Sequence, residues 1–201
     1  MSENFDLSAF SKKIMRFLAT AGLFLLEIVK VAVLAAVTIG LVRYFLFKPF
    51  YVKGASMEPN FYEREYLIID ELTYRFREPE RGEVIVFKYP ENPKEYFLKR
   101  IIGLPGETVK VSEGHITVYN KEHPEGVLVD EVYLSENLLT VGEKTVSLGT
   151  NQFYVLGDNR PNSYDSRRFG PIGQDAIVGR AWLRGWPISR VQTFQPPTFN
   201  F

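Results

Sequence analysis

The sequence predicts a mainly β protein, with a single N-terminal transmembrane helix followed by a β-rich domain of antiparallel sheets that carries a small inserted β subdomain. Three observations predict it. Apolar residues concentrate between Phe17 and Phe47; short β-branched and aromatic runs recur between turn signals after Pro49; and no long 3.6-residue periodicity appears beyond residue 50.

Within the apolar stretch only Glu27, Lys30 and Arg43 are charged. Ile28 to Phe47, 20 residues, matches the length that spans a hydrocarbon core as a helix. Its charge-free centre, Val31 to Val42, covers only roughly 18 Å at helical rise. Spanning 28–47 therefore requires Lys30 and Arg43 to snorkel toward opposite interfaces. Tyr44, Phe45, Phe47, Phe50 and Tyr51 form an aromatic cluster suited to a membrane–water boundary. The competing reading is a buried core helix, with Glu27 and Lys30 as a local i,i+3 pair. Length, terminal position and the polar chain that follows favour the span, and no small-x-small site closes it as a cleavable leader would be closed. Residues 1–27 read as a tail, an interfacial segment or an extension of the span. Orientation is undecided by charge, because Lys12, Lys13 and Arg16 on one side face Lys48 and Lys53 on the other.

The expected strands are Tyr66–Asp70, Glu83–Lys88, Tyr96–Ile102, Thr108–Val111, Ile116–Tyr119, Lys144–Leu148, Gln152–Leu156 and Ile177–Leu183. Glu113-Gly114 links two of them as a tight hairpin, and Pro105-Gly106 fits the centre of a type II turn. Residues 48–191 are enough for one domain with its own core. The more polar segment 107–150 is a candidate inserted cap or a linker. Residues 192–201, with Pro196-Pro197, are expected to be a loosely held tail.

Composition narrows the chemistry. The chain has 201 residues, 45% hydrophobic and 24% charged, with 24 basic against 24 acidic side chains. A net charge of zero argues against nucleic-acid binding through a basic face. The absence of cysteine excludes disulfides, thiolate metal sites and cysteine nucleophiles. Two histidines, His115 and His123, leave little room for a histidine-rich metal site.

Four short stretches carry the remaining signal. In Gly54-Ala55-Ser56-Met57-Glu58-Pro59 a serine between small residues is sterically accessible, and the proline biases Glu58 away from helix; an ordinary turn serine is the plainer reading. In Tyr96-Phe97-Leu98-Lys99-Arg100-Ile101-Ile102-Gly103, strand alternation puts Phe97, Lys99 and Ile101 on one face. A lysine so flanked is either snorkelling at an edge or desolvated. A desolvated amine has a depressed pKa and can take a proton from a hydroxyl, which a guanidinium such as Arg100 cannot. The loop Gly157-Asp158-Asn159-Arg160-Pro161-Asn162-Ser163-Tyr164-Asp165-Ser166-Arg167 is either a solvated turn or a support for a catalytic pair. Arg81-Gly82-Glu83-Val84-Ile85-Val86-Phe87 reads as a turn into a core strand.

The order of these four boxes behind an N-terminal anchor resembles the bacterial type I signal peptidases, from the anchor to about Trp186. The resemblance implies a membrane-anchored serine endopeptidase that removes signal peptides from exported preproteins. It implies a single-pass protein of the cytoplasmic membrane, its catalytic domain on the extracytoplasmic side, acting as a monomer without cofactor or nucleic acid. Its partners would be signal-peptide-bearing preproteins and the lipid bilayer. By the same resemblance Ser56 is the nucleophile, its backbone N–H an oxyanion donor, and Lys99 the general base. Ser163 orients the lysine, and Asp165 and Arg167 brace the region. Met57, Phe97 and Leu98 line the substrate site, and Phe50, Phe61 and Tyr62 are candidates to dip toward the bilayer. Asn60 stands where the family usually has threonine, Glu83 where it has aspartate, and Gly54 where some members carry an oxyanion-hole serine. Two rivals remain: a serine hydrolase using His115 or His123 as base, and a tethered β domain that binds exported peptides without cutting them.

Overall fold

The computed structural model describes residues 7–45, 47–135 and 138–199. It divides into two units, residues 1–45 and 46–201.

The first unit is one continuous helix, α1, Leu7–Phe45, of 39 residues. Residues 7–27 thus extend the helix rather than form a separate segment. The stretch long and apolar enough to cross a membrane is Met15–Gly40, and none of it is buried, which removes the core-helix reading. At 1.5 Å per residue its 26 residues reach about 39 Å. Glu27 and Lys30 form the anticipated local pair at 2.9 Å. The end of the expected span moves, because Phe47 already belongs to a strand. Pro49 cannot continue a helix, and aromatic residues favour a pleated surface.

That strand is β1, Phe47–Tyr51, at the edge of the large sheet where a proline is tolerated. The other elements are β2 Tyr66–Asp70, β3 Val84–Tyr89, β4 Asn92–Gly103, β5 Thr108–Ser112, β6 His115–Tyr119, β7 Val127–Leu128, β8 Lys144–Ser147, β9 Gln152–Leu156, α2 Ser166–Phe169, β10 Ile172–Gly173, β11 Ile177–Trp186 and β12 Gln192–Thr193. The large sheet runs β1-β2-β11-β3-β4-β9-β10, with β12 added beside β11; the small sheet runs β7-β6-β5-β8. Both are antiparallel.

Alternation explains the layers. In β3, Val84 and Val86 join one cluster with Met57, Phe61, Leu67, Ile69 and Leu98, while Ile85 and Phe87 join another with Ile101, Phe153 and Val155. A third cluster, built on Ile102, Val109, Val111, Ile116 and Leu156, joins the small sheet to the large one. Glu113 and Gly114 both take positive φ, 52° and 82°, as a two-residue I′ hairpin requires. Gly106 sits at φ 80°, and Glu107 N–H bonds Leu104 O at 3.2 Å across the anticipated type II turn.

The C-terminal segment departs from the loose tail expected of it. β12 pairs with β11, Phe194 packs on the first cluster and Phe199 on the third. Pro196-Pro197 stiffens a segment whose two phenylalanines find apolar seats.

Candidate active site

Ser56 lies in a turn between the end of β1 and Phe61. The turn is tied down from both sides. Phe61 N–H bonds Met57 O at 2.9 Å, and Met57 is buried in the first cluster. From the opposite loop, Asn159 donates its backbone N–H to Ser56 O and its side-chain amide to Ala55 O, both at 3.0 Å. Gly157 makes this approach possible. A Cβ there would fall 2.4 Å from Ser56 O and 2.2 Å from the Ser163 hydroxyl, so only glycine fits. Gly54, at φ 80°, faces open space and contributes no hydroxyl to the site.

Lys99 comes from β4 and is only 4% exposed. Its Nζ donates to Ser56 Oγ at 2.8 Å and to Leu98 O at 2.9 Å, and sits 5.3 Å from the Phe97 ring centre. Among the described residues no carboxylate pairs with it. Burial pushes the amine from 10.5 down to about 8, against the Asp165 and Asp158 charges, which raise it. The desolvated reading of this lysine, rather than the snorkelling one, is what the fold realises.

Around this pair the loop is braced by ion pairs. Asp165 is fully buried; it accepts from Gly157 N–H at 3.1 Å and from Arg167 Nε and Nη2 at 2.9 and 2.8 Å. Burial alone would raise its pKa, but the Arg167 guanidinium overrides this and leaves it below the usual carboxylate range. Asp158 takes Arg100 in a two-pronged pair at 2.8 and 2.6 Å. Asn60 adds a bond to the same carboxylate at 2.9 Å and another to Tyr133 O, so the substituted position still contacts this loop. Glu83 is buried under Arg77, the Tyr74 hydroxyl at 2.9 Å and Glu80 N–H. Arg160, also buried, is held by Glu131 and Thr140 from the connection between β7 and β8 of the small sheet. Ser163 is buried beside Gly157, where its hydroxyl helps keep the Asp165 carboxylate charged, and the partners of the Lys99 amine are Ser56 and Leu98.

Ser56 and Lys99 stand in a cleft of about 660 Å³. Residues 50–57 form one wall, 95–99 the other, and Asn162 and Tyr164 close one side. Met57, Phe97 and Leu98 all line it. None of its lining comes from 107–150, so that segment does not cover the cleft but grips Arg160 elsewhere. Neither His115 nor His123 lines it. Phe61 is buried in the core, which takes it off the list of residues facing a bilayer, whereas Tyr62 is exposed. β4 pairs with β3 along its length, but with β9 only from Arg100 onward. Residues 95–98 therefore present a free strand edge to the cleft. Asn159, which with Asp158 and Arg160 resembles the structural part of its box, holds the nucleophile turn directly, whereas nothing but the density of Gly and Asn in the loop points to Gly157, Asn162 and Tyr164.

A cleft edged by free strand backbone and holding a hydroxyl in contact with a buried amine has the parts that a peptidase needs. Residues 25–186 match the model of a family described as signal peptidase, peptidase S26. The chain is 39% identical over 171 residues to a probable signal peptidase I-2 of Synechocystis, covering 83% of this chain and 75% of that one. It is 37% identical over 181 residues to a signal peptidase I of Leptolyngbya laminosa, covering 86% and 85%. A crystal structure of signal peptidase I from Enterococcus faecalis shares 32% identity, covers 52% of this chain and 97% of that one, and superposes with a TM-score of 0.44. The chain belongs to the signal peptidase S26 family.

Proposed function

We propose that this protein is a membrane-anchored signal peptidase I that cleaves signal peptides from exported preproteins with Ser56 as nucleophile and Lys99 as general base. The observation that carries the reading is the 2.8 Å contact between Lys99 Nζ and Ser56 Oγ, made by an amine whose pKa lies at about 8 and which no carboxylate neutralises. An extended substrate adds a strand to the free edge at 95–98 and to the segment before Ser56. Neutral Lys99 takes the Ser56 proton as the alkoxide attacks the scissile carbonyl; the leaving amine is protonated by the lysinium, and an acyl-enzyme forms. The Ser56 backbone N–H stabilises the oxyanion. Lys99 then activates water for deacylation. Ser163 orients the amine in the substrate-bound state, and Asp165 with Arg167 holds the loop that carries it. Met57, Phe97 and Leu98 form the walls of the small pockets. Helix α1, through Met15–Gly40, serves as the membrane anchor, and the β domain lies on the extracytoplasmic side, as the family resemblance implies. The working unit is a monomer.

The test is cleavage of a preprotein bearing an Ala-x-Ala site by detergent-solubilised protein, wild type against Lys99→Ala. Cleavage after that site by wild type alone supports the peptidase and its base. Binding without cleavage by both would replace the reading with that of a peptide-binding module.

A further inference from the structure

The C-terminal segment Gln192–Phe199 lines no part of the cleft, yet it touches the back of both halves of the site. Its first anchor is Phe194. The Phe194 N–H bonds Trp182 O at 2.9 Å, and the ring lies 4.5 Å from that of Phe61. The Arg184 guanidinium covers both rings, at 5.1 and 5.4 Å, and donates to Asn60 O. Phe61 in turn closes the nucleophile turn through its bond to Met57 O. The second anchor is Pro197 with Phe199, which lie over Gly82 so closely that a Cβ there would meet them at 2.6 and 2.8 Å. Gly82 O receives Arg100 Nη1 at 2.8 Å, and Arg100 is the neighbour of Lys99 on β4. Between the two anchors a cavity of about 250 Å³, bordered by Asn60, Arg100 and Gln195, keeps the segment separable from the sheet beneath it.

We infer that residues 192–199 form a strap that positions the site from behind, with Phe194 as the positioning residue that holds the Ser56 turn in register with the Lys99 strand. The strap acts through Phe61 and Gly82 and touches no substrate. Its catalytic consequence rests on the peptidase reading above; its structural consequence does not. Relaxing one anchor lets the nucleophile turn drift relative to β4, and a misplacement of about an ångström is enough to slow a positioned reaction without weakening substrate binding.

The test uses the full chain in detergent, comparing wild type, Phe194→Ala and Phe194→Leu at a temperature well below the melting point of each. Two readouts are taken: kcat and KM on a preprotein, and amide hydrogen exchange across the chain. Phe194→Ala is expected to lower kcat about tenfold with KM within about twofold, and to lose protection at the Phe61 amide while β5 and β6 keep theirs. Phe194→Leu restores most of both. A merely structural phenylalanine would lower the melting point with kcat unchanged in the folded protein, or would lose protection uniformly; either result overturns the strap. If wild type cleaves nothing, the peptidase reading fails, and the exchange pattern alone decides the strap.

Discussion

Two adjacent cations on β4 receive opposite treatment. Lys99 and Arg100 are 4% and 6% exposed, and alternation sends them to opposite faces of the strand. On its face Arg100 has the Asp158 carboxylate, Gly82 O and the Tyr133 ring at 4.0 Å, so each guanidinium nitrogen has an acceptor. On the other face Lys99 has a hydroxyl, a carbonyl and an aromatic ring, but no counter-charge in contact. A buried charge that is paired is architecture; a buried charge left unpaired is held in a costly state that chemistry can use. The braced face fixes where the strand and the loop stand. The unbraced face sets when its amine gives up a proton.

The largest effect expected from breaking this contrast lies on the unbraced face. Ser56→Ala and Lys99→Ala are each expected to lower kcat about 10⁴-fold or more while leaving circular dichroism unchanged, because each removes a member of a pair that acts as a unit. Preprotein cleavage measures it, and residual activity of Lys99→Ala near wild type would show that the base is elsewhere. On the braced face the loss should appear in stability instead. Asp158→Ala leaves the buried Arg100 guanidinium without its counter-charge, and is expected to cost about 3–5 kcal/mol in urea denaturation. A loss under 1 kcal/mol would mean that water reaches Arg100 and that the two faces differ less than their geometry says.

Gly157→Ala sharpens the comparison where the two faces meet. Its new methyl collides with Ser56 O, which is backbone and cannot swing away, and with the Ser163 hydroxyl, which can. The nucleophile turn must retreat, and kcat is expected to fall about 100-fold with a modest drop in melting temperature. Unchanged kinetics would show that the turn tolerates displacement.

The contrast between faces was half legible in the sequence. Strand alternation alone put Phe97, Lys99 and Ile101 together and Arg100 opposite, and turn chemistry located β2, β5, β6 and β9 nearly to the residue. The strands that escaped notice, β7, β10 and β12, are two-residue pairings dictated by neighbours rather than by any local pattern. β1 escaped because an aromatic run beside an apolar helix suits a membrane boundary as well as a sheet edge. In the site, Ser56 stands out only through the order of the four boxes, and Lys99 through the apolar neighbours on its face of the strand. The need for glycine at 157, and the grip of Asn159 on residues 55 and 56, could not be read, because both depend on a close approach of segments about a hundred residues apart. The seats of Phe194 and Phe199 are equally non-local.

The smallest predicted effect is the one that separates the two cations most cleanly, since it asks what the unpaired state costs. Lys99 titrates at about 8 in the folded chain against 10.5 as a model amine. Between those values the unfolded chain holds a proton that the native protein has released, so stability rises with pH through this window. Below about pH 8 both states are protonated and the native protein carries the whole penalty; above about pH 10.5 both are neutral and the penalty is gone. A difference of this size corresponds to about 3 kcal/mol. Lys99→Met keeps an unbranched apolar stem, removes the charge and forfeits two hydrogen bonds, each worth about 1 kcal/mol. The variant is therefore expected to be about 1 kcal/mol more stable than wild type at pH 7, with the advantage shrinking as pH climbs from 8 toward 10.5. The activity of wild type should climb across the lower end of the same window, as the base becomes neutral. Paired urea titrations at pH 7 and pH 10 measure the first, and the pH profile of kcat/KM the second. If Lys99→Met is less stable than wild type at both pH values, the amine is not held at a cost, and the lysine would be braced after all, like its neighbour.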